Sequence, residues 1–186
     1  LDPVWLWEWE EGAAAAVSTF RIAADLCDEF PGFVFNHNEA ILYQWVEEYE
    51  PQLFARIQKL VGEGKWRIMG GWRLQPDCNM PSGESFVRQI LLGKSYFRER
   101  FGVEPTTAVN FDPFGHSRGL VQILAKSGYD SYLHCRPGED DMPLLGGSLR
   151  LSRRSMPPSS GMSSSPTSEI ASPDMLARPV RPIRCT

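Results

Sequence analysis

The chain has 186 residues, 42% of them hydrophobic and 11% aromatic, which is enough for one domain with a real core. A formal net charge of −4 and a pI near 5.4 exclude a general nucleic-acid binder, whose affinity needs a basic face. No apolar run approaches the roughly 20 residues that span a membrane, so neither nucleic acid nor membrane is an expected partner.

The chain opens on Leu1, and its natural amino end is expected upstream. No secretory leader is visible, which makes a cytoplasmic protein the expectation. The cysteines Cys27, Cys78, Cys135 and Cys185 form no C-x-x-C pair and read as free buried thiols.

Residues 1–7 are aromatic and apolar, with Asp2 near their head. Residues 8–30 predict a helix: an acidic first turn, an alanine run, then Phe20, Ile22, Leu26 and Cys27 on one apolar face. Trp7 and Trp9 read as core residues. Pro31-Gly32 breaks the helix. Residues 33–36 read as a short buried strand, with His37-Asn38-Glu39 following its carboxyl end. Helices over 40–49 and 52–61 are divided by Pro51, and 66–69 is a strand ending in Gly70-Gly71. Residues 72–81 form a polar loop with two prolines, in which Asp77 is either a turn residue or part of a site. A helix runs over 82–101, a strand over 107–111, a helix over 120–126 and a strand over 129–133.

This alternation argues for parallel βα units in a sheet or barrel. Asn36-His37, the 72–79 loop, Asp112 and Arg136 would each follow a strand directly, on the rim where α/β folds bind ligands. Asp2 would follow a strand lying before Leu1. Asp112 is the centre of this arrangement, because Pro113 and Gly115 leave its turn little freedom. Asp112-Pro113 is also the pattern of an ordinary helix N-cap with proline in the first turn. His116 alone reads better as a hydrogen-bonded structural histidine than as a metal ligand.

The chain changes character near Gly138. No tryptophan, tyrosine or phenylalanine lies beyond Tyr132, no lysine follows Lys126, and residues 155–168 are mostly serine and proline. Two segments are therefore expected: a partial catalytic domain over 1–137 and a disordered, low-complexity tail over 138–186. A natural tail and translation out of frame both account for such a stretch.

Three stretches together resemble the catalytic domain of family-38 glycoside hydrolases, the α-mannosidases. Asp2-Pro3-Val4-Trp5-Leu6-Trp7 is similar to the end of the family's opening His-x-Asp-Pro-x-Trp motif. Gly70-Gly71-Trp72, with Pro76-Asp77-Cys78-Asn79 and Pro81-Ser82-Gly83-Glu84-Ser85, is similar to its middle loop. Asn110-Phe111-Asp112-Pro113-Phe114-Gly115-His116-Ser117 resembles its nucleophile segment.

The resemblance implies a parallel seven-stranded (β/α) barrel, incomplete in this chain, with zinc at its rim. It implies that Asp112 is both nucleophile and zinc ligand, and that Asp2 is a second ligand. Trp5 and Phe114 would form part of the sugar-binding wall, and Arg136 would contact substrate. His116 would shape the turn through hydrogen bonds. The implied partner is a mannose-containing oligosaccharide, with room for a homo-oligomer in the full-length protein. Zinc with open positions would bind sugar hydroxyls and keep Asp112 ionised, while aromatic faces suit the C–H side of a pyranose. A retaining mechanism also needs a second carboxyl about 5–5.5 Å from the nucleophile.

The chain departs from the family in lacking the opening His, a second zinc-binding His and the acid/base Asp. An inactive fragment with about five of seven strands is the resulting expectation. Two other readings stay open: a metal-dependent polysaccharide deacetylase, and a carbohydrate-binding remnant without catalysis. Asp2 also reads as a frayed terminal residue, and Arg136 as a surface charge.

Overall fold

Helix α1 (Trp9–Glu29) follows from its alanine content and from apolar residues three and four apart: Ala13, Ala16, Phe20, Ala23, Ala24 and Cys27 are all buried on one face. The Glu11 carboxylate accepts the Glu8 backbone N–H (3.1 Å), closing the first turn. Strand β1 (Phe35–Glu39) leads into α2 (Ala40–Tyr49), and Pro51 at the first position of α3 (Pro51–Gly62) ends one helix and starts the next. Strand β2 is Trp66–Trp72. Helix α4 (Gly83–Phe101) is capped by Ser82, whose hydroxyl accepts from the Ser85 N–H (3.2 Å), and is ended by Gly102 at φ +66°. Strand β3 (Thr107–Asn110), α5 (Arg118–Lys126), β4 (Ser131–His134) and β5 (Ser148–Arg150) complete the order.

The computed structural model describes residues 5–113, 115–135 and, for the backbone, 148–150. All of these fall in one unit, Leu1–Arg153, and a second unit, Arg154–Thr186, lies outside the described residues. Of the expected site residues, Asp2, Phe114 and Arg136 also lie outside them, as does Cys185. Among the described residues no helix is long and apolar enough to cross a membrane.

β1 and β2 pair in parallel, Phe35 against Trp66 through Glu39 against Trp72, with a shift of register between His37 and Glu39. β3 and β4 pair in parallel, from Thr107–Ser131 to Asn110–His134. β2 and β3 are neighbours, joined where the buried Trp72 indole N–H donates to the Val109 carbonyl (2.7 Å). β5 pairs antiparallel with β4, a direction that the all-parallel expectation did not contain. The described strands thus form a two-stranded and a three-stranded sheet within a mixed α/β unit, and a seven-stranded barrel is not among them.

Two apolar clusters hold the layers together. One joins α1, α2 and α3 to β1 and the first half of β2, around Phe20, Tyr43, Ile57 and Trp66. The other sits under Trp72, between α4, α5, β3 and β4. Each fully buried side chain of this size contributes about 1.5–3 kcal/mol by leaving water. Helix α4 lies close on β2 because Gly93 has no Cβ: one built there would collide with the Gly71 carbonyl oxygen and the Trp72 carbonyl carbon. Lys94, next in that helix, is 6% exposed. It donates to the Ser127 carbonyl (3.0 Å), pairs with Glu104 (3.5 Å) and lies over the Tyr129 ring.

The structure corrects several local expectations. β1 begins and ends later than expected and carries His37 inside the sheet, opposite Ile68. Trp7 and Trp9 are half exposed rather than core, with Trp9 stacked against Tyr49. Cys27 and Cys78 are buried free thiols, while Cys135 is exposed.

Candidate active-site rim

The carboxyl ends of two parallel pairs, β1–β2 and β3–β4, meet at the loop after β2, which ties three of them together. Its Gln75 N–H donates to the Glu39 carboxylate at the end of β1 (3.0 Å). The Gln75 side-chain oxygen accepts from the Phe111 N–H beyond β3 (2.9 Å). The Pro76 carbonyl accepts from the Asn110 amide (2.9 Å), which also reaches the Cys78 sulfur (2.9 Å). Asn110 has no solvent exposure and Glu39 only 3%, so both are committed to this framework.

Asp112 stands exposed in the turn that follows β3. Helix α5 starts at Arg118 with Ser117 at its N-cap, so Asp112 is not a helix cap. The turn is held from the far side as well. Nδ1 of His116 pairs with the Tyr132 hydroxyl (3.0 Å), and the His116 ring lies 4.5 Å from the ring centre of His134. Tyr132 also lies 3.7 Å from the Cys78 sulfur, and burial, then Cys78, pushes its phenol above the ordinary range, so it stays protonated. Gly115, at φ +131°, lies so close to Asn79 that a Cβ there would meet the Asn79 amide nitrogen. Asp77 is a turn residue: its carboxylate accepts from the Asn79 (2.7 Å) and Met80 (2.9 Å) N–H groups.

The rim therefore brings together Asp112 and His116 from the expected set, and adds Glu39, Gln75, Asn110 and Tyr132. Sequence reasoning placed Glu39 after its strand, the loop that holds Gln75 on the rim and Asn110 in the 110–117 segment, but gave none of them a role, and it did not place Tyr132 there. Asn110 was detectable as a polar residue closing a β-branched strand, whereas no local pattern marks Gln75. Trp5 is 69% exposed, near the start of the described chain. His37 is withdrawn from the rim into the core between Phe20 and Phe35, and burial pushes its imidazole down to about 3. Among the described residues two buried side-chain atoms, Asn38 Nδ2 and Asn110 Oδ1, have no hydrogen-bond partner, and both sit at strand ends on this side.

A zinc centre needs three or four nitrogen, oxygen or sulfur donors around one point. Among the described residues no group of three or more His, Cys, Asp and Glu side chains converges in that way. Asp112 offers one carboxylate, and the described residues do not by themselves fit a zinc centre.

The family described as the N-terminal domain of glycosyl hydrolases family 38 matches residues 1–137. The chain is 35% identical over 133 residues to Alpha-mannosidase G of Dictyostelium discoideum, covering 72% of this chain and 12% of that protein. It is 33% identical over 133 residues to Alpha-mannosidase 2C1 of Homo sapiens, covering 72% of this chain and 13% of that protein. The chain thus spans about an eighth of the length of these curated relatives. Among solved structures, an alpha-mannosidase from Enterococcus faecalis shares the fold with a TM-score of 0.65 at 22% identity, over 72% of this chain and 15% of that one.

Proposed function

This chain belongs to glycosyl hydrolase family 38, and from that premise we propose that it contributes the nucleophile-bearing rim of a retaining α-mannosidase that removes terminal α-mannosyl residues from glycans. The observation that carries the reading is Asp112: an exposed carboxylate at the end of β3, in a turn held on one flank by Gln75 and Asn110 and on the other by His116 and Tyr132. A nucleophile needs both access and a fixed aim, and this turn supplies both.

In the proposed reaction a carboxylate oxygen of Asp112 forms a bond to the anomeric carbon as the bond to the leaving oxygen breaks. The leaving oxygen takes a proton from a second carboxyl, and water, giving a proton back to that carboxylate, then cleaves the glycosyl ester to restore Asp112. That second carboxyl is assigned to the protein that carries this chain. Trp5 and Phe114 are proposed as sugar-facing aromatics and Arg136 as a substrate contact. Asp2 and Asp112 are proposed as this chain's share of the zinc ligands.

A fluorinated α-mannosyl fluoride tests the reading, because such a sugar forms the ester quickly and releases it slowly. The protein carrying this chain is incubated with the reagent and digested, and its peptides are weighed. The label is expected on Asp112. A label on another carboxylate, in a preparation that cleaves α-mannosides, overturns the assignment. Amide cleavage without any glycosyl adduct would mark a metal-dependent deacetylase instead.

A further inference from the structure

We propose that Gln75 is the positioning residue for Asp112, and that the buried Glu39 carboxylate holds Gln75 in place. The proposal rests on the reading of Asp112 as a nucleophile. Phe111 stands one residue beyond the last pair of the β3–β4 ladder, Asn110 against His134. Its N–H therefore needs a partner from outside the sheet, and Gln75 provides it at 2.9 Å.

Phe111 is 41% exposed and Asp112 is exposed too, so side-chain burial holds this stretch only from Pro113 onward, which is buried. The hydrogen bond to the Phe111 N–H thus restrains the backbone on the strand side of the carboxylate, and the buried Pro113 restrains it on the other. Gln75 is itself anchored: its N–H donates to Glu39 (3.0 Å), and the next residue, Pro76, accepts from the Asn110 side chain. A carboxylate at the end of β1 in this way sets the aim of a carboxylate beyond β3, through one glutamine.

The substitutions Gln75→Met and Gln75→Glu test this. Methionine keeps the length of the side chain but removes the oxygen acceptor, whereas glutamate retains one. Amide hydrogen exchange is followed on the peptide spanning residues 107–117, alongside kcat and KM for an α-mannoside and the thermal transition of each variant. Gln75→Met is expected to speed exchange at Phe111 and to lower kcat at least about tenfold, with KM changed less than about twofold, because aim is lost and sugar contacts are not. Gln75→Glu is expected to restore both. Unchanged exchange at Phe111 in a folded Gln75→Met protein overturns the proposal, and so does faster exchange with unchanged kcat. If the wild-type protein cleaves no α-mannoside and takes no label on Asp112, the functional reading fails. The exchange result then still decides whether Gln75 holds the turn.

Discussion

The Tyr132 hydroxyl stands 3.0 Å from Nδ1 of His116, so strand β4 carries the far end of the turn that presents Asp112. The same hydroxyl faces the Cys78 sulfur from the loop after β2. Tyr132→Phe removes this shared partner while leaving the ring in place. We expect a loss of about 1 kcal/mol in urea unfolding, the usual worth of one such hydrogen bond. Faster amide exchange confined to the 111–117 turn should accompany it. An unchanged midpoint and unchanged exchange would show that the contact restrains nothing.

Asp112→Asn preserves the shape of the side chain and removes its charge. Activity toward an α-mannoside should fall by about a thousandfold or more, while the thermal transition stays within a degree or two, since the side chain is exposed. The comparison is made on the protein that carries this chain. Retention of near-wild-type kcat by a verified Asp112→Asn preparation would rule out a nucleophile at this position.

Gly93→Ala gives a test in which two effects oppose each other. In an exposed helix interior the change stabilises by about 1 kcal/mol. Here the new Cβ would collide with backbone atoms of Gly71 and Trp72, which have no rotamer to move out of the way. We expect net destabilisation of about 1–3 kcal/mol, read as a lower denaturation midpoint. A stabilised variant would show that α4 and β2 are not packed as described.

The pH dependence of stability follows from His37. Burial lowers its folded-state pKa from an ordinary 6.5 to about 3. Between those values the unfolded chain binds a proton that the folded chain refuses, so unfolding becomes easier as pH falls from 6.5 toward 3. The full contribution is present above pH 6.5, with a slope of up to about 1.4 kcal/mol per pH unit inside the window. Substituting His37→Gln should flatten this part of the profile relative to wild type. Identical slopes in the two proteins would mean that His37 is not buried as a neutral imidazole.

The rim was legible in the sequence to different depths. The turn 110–117 stood out because proline and glycine restrict the backbone around Asp112 locally, and its position after a β-branched strand placed it at a carboxyl end. His37 was misplaced because the end of β1 is set by β2, whose pairing continues to Trp72 through a shift of register that single-strand patterns do not encode. Trp7 and Trp9 were read as core from residue type alone. Their half exposure follows from where α1 starts and from what packs against it.

The sequence by itself determined the succession of helices and strands from α1 to β4, because alanine runs, apolar spacing and the breaks at Pro51 and Gly102 act within a few residues of chain. It also determined the family, since three motifs in order are a local record. Only the tertiary structure decided which polar groups meet. Glu39 and Gln75 are 36 residues apart, as are Gln75 and Phe111, and His116 and Tyr132 are 16 apart. Such pairs are chosen by how α4 seats on β2 and how β2 lies beside β3, and hydrogen-bonding groups buried there must find whichever partner that packing brings within about 3 Å.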